Sequence, residues 1–330
     1  MSLKGLLCSS AFMMSFAVVI SLITNFTGIF PGDVLNPGLR SNITIFCLAV
    51  MLTLSFSRIP YRDLNPVKYS ASTIRAIVLG LVVASIVPLV GFFILNGTEY
   101  ADYAKGLVFI AATPFAASVG PLSYILKGDF PHALRSTIII YVLALLWIPL
   151  IVWLCLGESV DMKTVFITVL EIIALPLILS RLITKVPIPK DVMSIILNCI
   201  ITFLVWLSVS SADFQSAGLF IMVVFLLIAG LRTFFMGNVV EYAEHRAGIH
   251  WTQRVTDILM VTYKNKGIAL ALCTAVLVGP VIPKAMVAIA ASIIVDVCWV
   301  AFVDGFLFSS KRMEKELRQQ SFPHSYNISP

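Results

Sequence analysis

The sequence predicts an all-α membrane protein of ten transmembrane helices in two inverted five-helix repeats, with the fourth and ninth helices broken. Three observations carry this reading. Apolar residues come in runs of about 20, Lys and Arg fall on alternate sides of those runs, and one run in each half is disturbed at the same ordinal position. Of 330 residues, 59% are hydrophobic and 12% charged, against roughly 25% charged in ordinary soluble domains. A transmembrane β-barrel would show short alternating segments, which this sequence does not have.

The apolar runs place helices at 5–29, 42–57, 73–95, 105–126, 133–156, 163–183, 193–212, 217–236, 255–279 and 284–308. Only Lys4 precedes the first, and no small-residue cleavage site follows it, so it reads as a retained helix rather than a signal peptide. Loops are short, so residues 1–310 form one membrane domain and 311–330 a charged cytoplasmic tail without assigned chemistry. Counting Lys and Arg on alternate sides puts 17 on one, including Arg62, Lys68, Arg232 and Arg254, and 4 on the other. Under the positive-inside rule both termini are cytoplasmic, in the plasma (inner) membrane. The net charge of +6 is therefore an orientation signal. The expected surroundings are a lipid bilayer, with no nucleic-acid partner.

An odd number of helices per half gives the halves opposite orientation, the architecture of secondary transporters, whose sites lie where helices are interrupted near the midplane. The fourth helix reads IAATPFAASVGPLSYILKGD, with Pro114, Gly120 and Pro121 inside it. Pro114 and Pro121 cannot donate to the carbonyls of Ile110 and Ala117, which become available to a solute or ion. The ninth carries Lys264, Asn265 and Lys266 within DILMVTYKNKGIALALCTAVLVGP. Two ammonium groups at membrane depth cost about 3 kcal/mol each on insertion scales, so they face protein or water. Because they lie about 200° apart on a regular helix, both reach one site only if the helix is broken. Glu171, one turn before Pro176, is the expected partner of Lys264; Asp257 lies two turns from it on the same face. Lys266 either pairs with Asp296 or approaches a water-filled cleft.

Pro114, Ser123, Tyr124, Lys127, Gly128 and Asp129 stand in register with P-G-G-T-A-S-N-x-x-T-Y-x-x-K/R-G-N/D. This segment resembles the fourth helix of the bile acid:sodium symporter family. Asn265 and Ala269 match that family's ninth-helix pattern E-x-G-x-Q-N-x-x-L-A. The resemblance implies a core domain of helices 3–5 and 8–10, with helices 4 and 9 crossing, beside a panel of helices 1, 2, 6 and 7. Substrate would lie in the cleft between them, and sodium behind the crossing. The departures fall on the sodium ligands: the Ser-Asn pair aligns with Val119 and Gly120, the Glu with Met260 and the Gln with Lys264. Side-chain oxygens have gone and a cation has arrived.

The expectation is therefore a carrier of a small organic anion working by alternating access, with Lys264 as a built-in substitute for sodium. Its transport residues are Pro114, Ser118, Gly120, Pro121, Ser123, Glu171, Thr262, Lys264, Asn265, Lys266 and Asp296. No metal and no cofactor are expected. The alternatives are a sodium- or proton-coupled symporter of bile or organic acids, with a buried lysine releasing the proton, and a transport-dead membrane sensor on the same scaffold. Enzymatic readings fail for want of HExxH, GxSxG or P-loop motifs. His132, His245, His250 and His324 read as loop or tail residues, and Arg254 as a solvated interfacial charge.

Overall fold

The computed structural model describes residues 3–32, 34–59 and 69–321. Among these the chain is helical, apart from one isolated antiparallel bridge between Phe115 and Lys264. The helices are α1 (Leu3–Cys8), α2 (Ser10–Phe26), α3 (Pro37–Ser57), α4 (Ser70–Leu95), α5 (Ala101–Ala112), α6 (Val119–Ile125) and α7 (Phe130–Leu156). They continue as α8 (Met162–Leu182), α9 (Lys190–Ser210), α10 (Phe214–Arg246), α11 (Trp251–Thr262), α12 (Lys266–Val276), α13 (Val281–Leu307) and α14 (Ser310–Ser321). Seven of them, α3, α4, α7, α8, α9, α10 and α13, are long and apolar enough to cross a bilayer. Phe93, Leu146, Leu182, Leu219 and Phe220 stand outward and exposed, a surface that suits lipid and would be a liability in water.

Polar side chains written into the turns set the helix starts. Asn36 accepts from the Leu39 amide ahead of α3, with Pro37 in the first turn where a missing N–H costs nothing. Asp129 caps α7 through the His132 amide and Asp213 caps α10 through the Ser216 amide. The eighth expected helix, 217–236, is longer than the apolar run suggested. It starts at Phe214, bends at Gly218 (φ 73°) and continues through MGNVVEYAEHR to Arg246, because that polar stretch buries Glu241 and Glu244 against its neighbours.

Around the centre, α5 lies between α4 and α13, and nearly every side chain from Tyr103 to Ala112 is buried. A methyl group at Gly106 would stand 2.0 Å from the Ala285 carbonyl oxygen, so only glycine lets α5 and α13 approach so closely. On the other flank α2 packs on α9, where Asn25 donates to the carbonyls of Val209, Ser210 and Ala212. α3 meets both α8 and α12.

Three expectations about charge need correction here. His132 is not a loop residue: it lies in the first turn of α7, fully buried, 2.9 Å from Asp257. Asp257 does not turn toward Lys264; its other oxygen takes the Arg75 guanidinium at 2.6 Å. Arg254 is not solvated but buried, bonded to Glu241 at 3.1 Å and to Glu316 of α14 at 2.5 Å. The start of the tail is thus part of the folded body. Residues 322–330, Arg62 and Lys68 lie outside the described residues.

Candidate functional site

Two non-helical segments meet at the centre of the molecule. α5 stops at Ala112 because Thr113 precedes a proline and takes extended backbone (φ −73°, ψ 150°). Helix resumes only at Val119. In the second segment α11 stops at Thr262 and α12 starts at Lys266, capped by the Asn265 side chain on the Ile268 amide at 3.1 Å. The two strips pair antiparallel: the Ala116 amide donates to the Tyr263 carbonyl at 2.7 Å, and the Asn265 amide to the Pro114 carbonyl at 2.9 Å. These bonds satisfy backbone groups that two helix ends would otherwise leave bare in an apolar interior. Tyr141 of α7 braces the pairing, donating to the Phe115 carbonyl at 3.0 Å and accepting from the Asn265 amide group at 2.7 Å.

Lys264 leaves this pairing with its side chain pointing into protein, 1% exposed. Its ammonium donates to the carbonyls of Thr113 (2.6 Å), Ala111 (3.1 Å) and Gly80 (3.3 Å) and to the Ser85 hydroxyl (3.1 Å). Gly80 lies in a π-helical stretch of α4, Val78–Val83, a wide turn that leaves backbone oxygens unpaired along the helix. Four oxygens, from α4, α5 and the non-helical segment after α5, thus surround one cation, and no carboxylate is among them. The expected partner, Glu171, lies exposed on α8; the ammonium is held by carbonyl dipoles instead. The freed carbonyls also differ from those expected. Ile110 is taken by the Thr113 hydroxyl at 3.0 Å, and Ala111 and Thr113 face the cation.

Lys266, although the helix is broken between it and Lys264, turns the other way and forms an ion pair with Asp296 of α13. Asp296 also receives Arg232 of α10 at 2.5 Å. Arg232, counted in the sequence among the charges of one membrane side, is 1% exposed. Its guanidinium donates to the Thr262 carbonyl at 2.5 Å and the Ser292 hydroxyl at 3.3 Å.

The structure therefore brings together Pro114, Thr262, Lys264, Asn265, Lys266 and Asp296. Val119, Gly120 and Met260 are buried nearby in sequence but offer no side-chain oxygen. Ser118 is half-buried, Pro121 is exposed, and Ser123 is spent on the Thr256 hydroxyl at 3.1 Å. Residues the sequence did not single out are Gly80, Ser85, Tyr141, Arg232 and Ser292. Only Arg232 carried a signal, a guanidinium inside the apolar run 217–236, and it was counted as an orientation charge rather than as a site residue.

Comparison with curated proteins returned no match. The sequence model of the Sodium Bile acid symporter family matches residues 45–230, more than half the chain, taking in the Thr113–Ser118 segment and ending before Lys264. With this match and its many apolar helices, the chain belongs to the sodium bile acid symporter family of membrane transporters.

Proposed function

We propose that the protein is a secondary carrier of a small organic anion that works by alternating access without sodium, because the Lys264 ammonium holds the position a sodium ion would take. The observation that carries this reading is the set of four oxygens around Lys264, at 2.6–3.3 Å and without a carboxylate. Such a set suits a monovalent cation. With an ammonium already in it, no room is left for a metal ion, and the positions expected to ligate sodium, Val119, Gly120 and Met260, have no donor side chain. The residues present do not fit sodium.

On this reading α5 with α6, and α11 with α12, are the two halves of broken membrane helices, the fourth and ninth of ten, and both termini face the cytoplasm. Two of the four π-helical stretches among the described residues stand at corresponding places in the two halves, which supports the inverted repeat. One lies in α4, just before the first non-helical segment, and one in α10 (Leu231–Phe235), just before the second. Helices 3–5 and 8–10 form the core, and helices 1, 2, 6 and 7 the panel. The charge of the solute follows from the balance at the centre. Three cations, Lys264, Lys266 and Arg232, gather there, and among the described residues one carboxylate, Asp296, answers them. An excess of buried positive charge favours an anion.

Uptake of carboxylates and sulfonates into proteoliposomes tests the reading. Rates should be equal in sodium and choline buffers, and the double substitution Lys264→Gln with Met260→Glu should introduce a sodium response. Wild-type uptake that is stimulated by sodium and lost in choline would sink it.

A further inference from the structure

Both non-helical segments end in backbone carbonyls that face inward, and each set is met by a different buried cation. At the first, Lys264 takes Ala111 and Thr113 and finds a serine hydroxyl, Ser85, beside them. At the second, the carbonyl of Thr262, the last residue of α11, takes Arg232, which again finds a serine hydroxyl, Ser292. The second cage differs in holding a carboxylate, Asp296, shared between Arg232 and Lys266. The planar guanidinium answers that difference: one nitrogen serves the carbonyl and another the carboxylate and hydroxyl.

We propose that Arg232 is a second fixed cation, built into the Thr262–Ser292–Asp296 cage as Lys264 is built into the first, so that this junction too needs no inorganic ion. The inference stands on residues separate from the Lys264 cage and does not depend on which solute is carried. Its consequence is chemical. With the guanidinium removed, the cage keeps a carbonyl, a hydroxyl and a carboxylate oxygen pointing at one vacated volume, a set that suits a small cation supplied from solution. A guanidinium that served only as a generic buried ion pair would leave a loss of stability that no particular cation restores.

The test is melting of purified Arg232→Ala protein in detergent, at constant ionic strength, in choline, sodium or low-millimolar guanidinium chloride. Wild type should melt alike in all three. Arg232→Ala should fall by about 5 °C or more in choline and recover at least half of that in guanidinium or sodium. Arg232→Ala combined with Asp296→Asn should lose the selective recovery. If Arg232→Ala is not recovered as folded protein, Arg232→Gln, which keeps amide donors for the Thr262 carbonyl without the charge, is read in the same three salts. Melting of the variant that matches wild type, or that moves equally in all three salts, would overturn the proposal. Because no solute is added, its failure is distinguishable from failure of the carrier reading, which uptake alone decides.

Discussion

The molecule buries the charge of Lys264 and that of the arginines at the far end of α11 by opposite means. At the central junction the Lys264 ammonium is held by three carbonyls and a hydroxyl. At the far end of α11, three arginines are set against carboxylates, while a fourth, Arg135, is held by the Ser72 hydroxyl and the Tyr69 ring. Arg75 bonds Asp257 and lies 3.6 Å from Glu244, and Arg254 is clamped between Glu241 and Glu316 while Arg312 of α14 also reaches Glu241. Trp251 carries both Arg254 and Arg312 against its ring. A cation set among neutral dipoles keeps its full charge as a field in the surrounding space, whereas a cation paired with a carboxylate is spent. The first arrangement is suited to acting on a mobile anion and the second to fastening helices together.

Substitutions can break that contrast. The largest effect is expected for Lys264→Met, which removes a donor from four oxygens in a dry interior and leaves the Ala111 carbonyl only the Ser85 hydroxyl. A loss on the order of 3–5 kcal/mol should appear as a lower melting midpoint, together with loss of uptake. Next is Glu316→Ala, which takes one of the two carboxylates from the buried Arg254 guanidinium and leaves it Glu241 alone. It should cost about 3 kcal/mol and release α14, read as faster amide exchange over 310–321, while uptake by the folded fraction persists. If Glu316→Ala abolished uptake while Lys264→Met spared it, the division of labour drawn here would be reversed.

Smaller changes sharpen the contrast. Tyr141→Phe removes the acceptor of the Asn265 amide and the donor to the Phe115 carbonyl, and should cost about 1–2 kcal/mol, with the junction rather than the tail gaining amide exchange. Smallest is the response to salt. Raising sodium chloride from 0.05 to about 0.5 M shortens the Debye length to a few ångströms, which should loosen α14, whose Arg312 is 31% exposed. The exchange of the Lys264 amide should not move.

Some of this was legible from residue type alone. Two lysines in an apolar run demand a partner or a polar space, and Pro114 forbids the helix that Thr113 would otherwise continue, so the centre could be found in one dimension. The identity of the partners could not. Glu171 looked suitable because it is acidic and near Pro176, yet its helix turns it outward. Gly80 and Ser85 carry no signal, since their role is a backbone oxygen and a hydroxyl brought into aim by a wide turn in α4. His132 and Arg254 looked like loop and interface residues because position relative to an apolar run was the only evidence of depth.

Composition, the spacing of apolar runs and the placing of Pro114 and Lys264 determined that this is a helical membrane chain with a disturbed centre. These are local matters, governed by what a residue costs in lipid and by which backbone angles it permits. Which oxygens surround each cation, and that Arg232 belongs to the centre while Glu171 does not, was decided only when α4, α5, α10, α11 and α13 packed together. The ligands there are mostly carbonyl groups, which every residue possesses and which only a fold can aim.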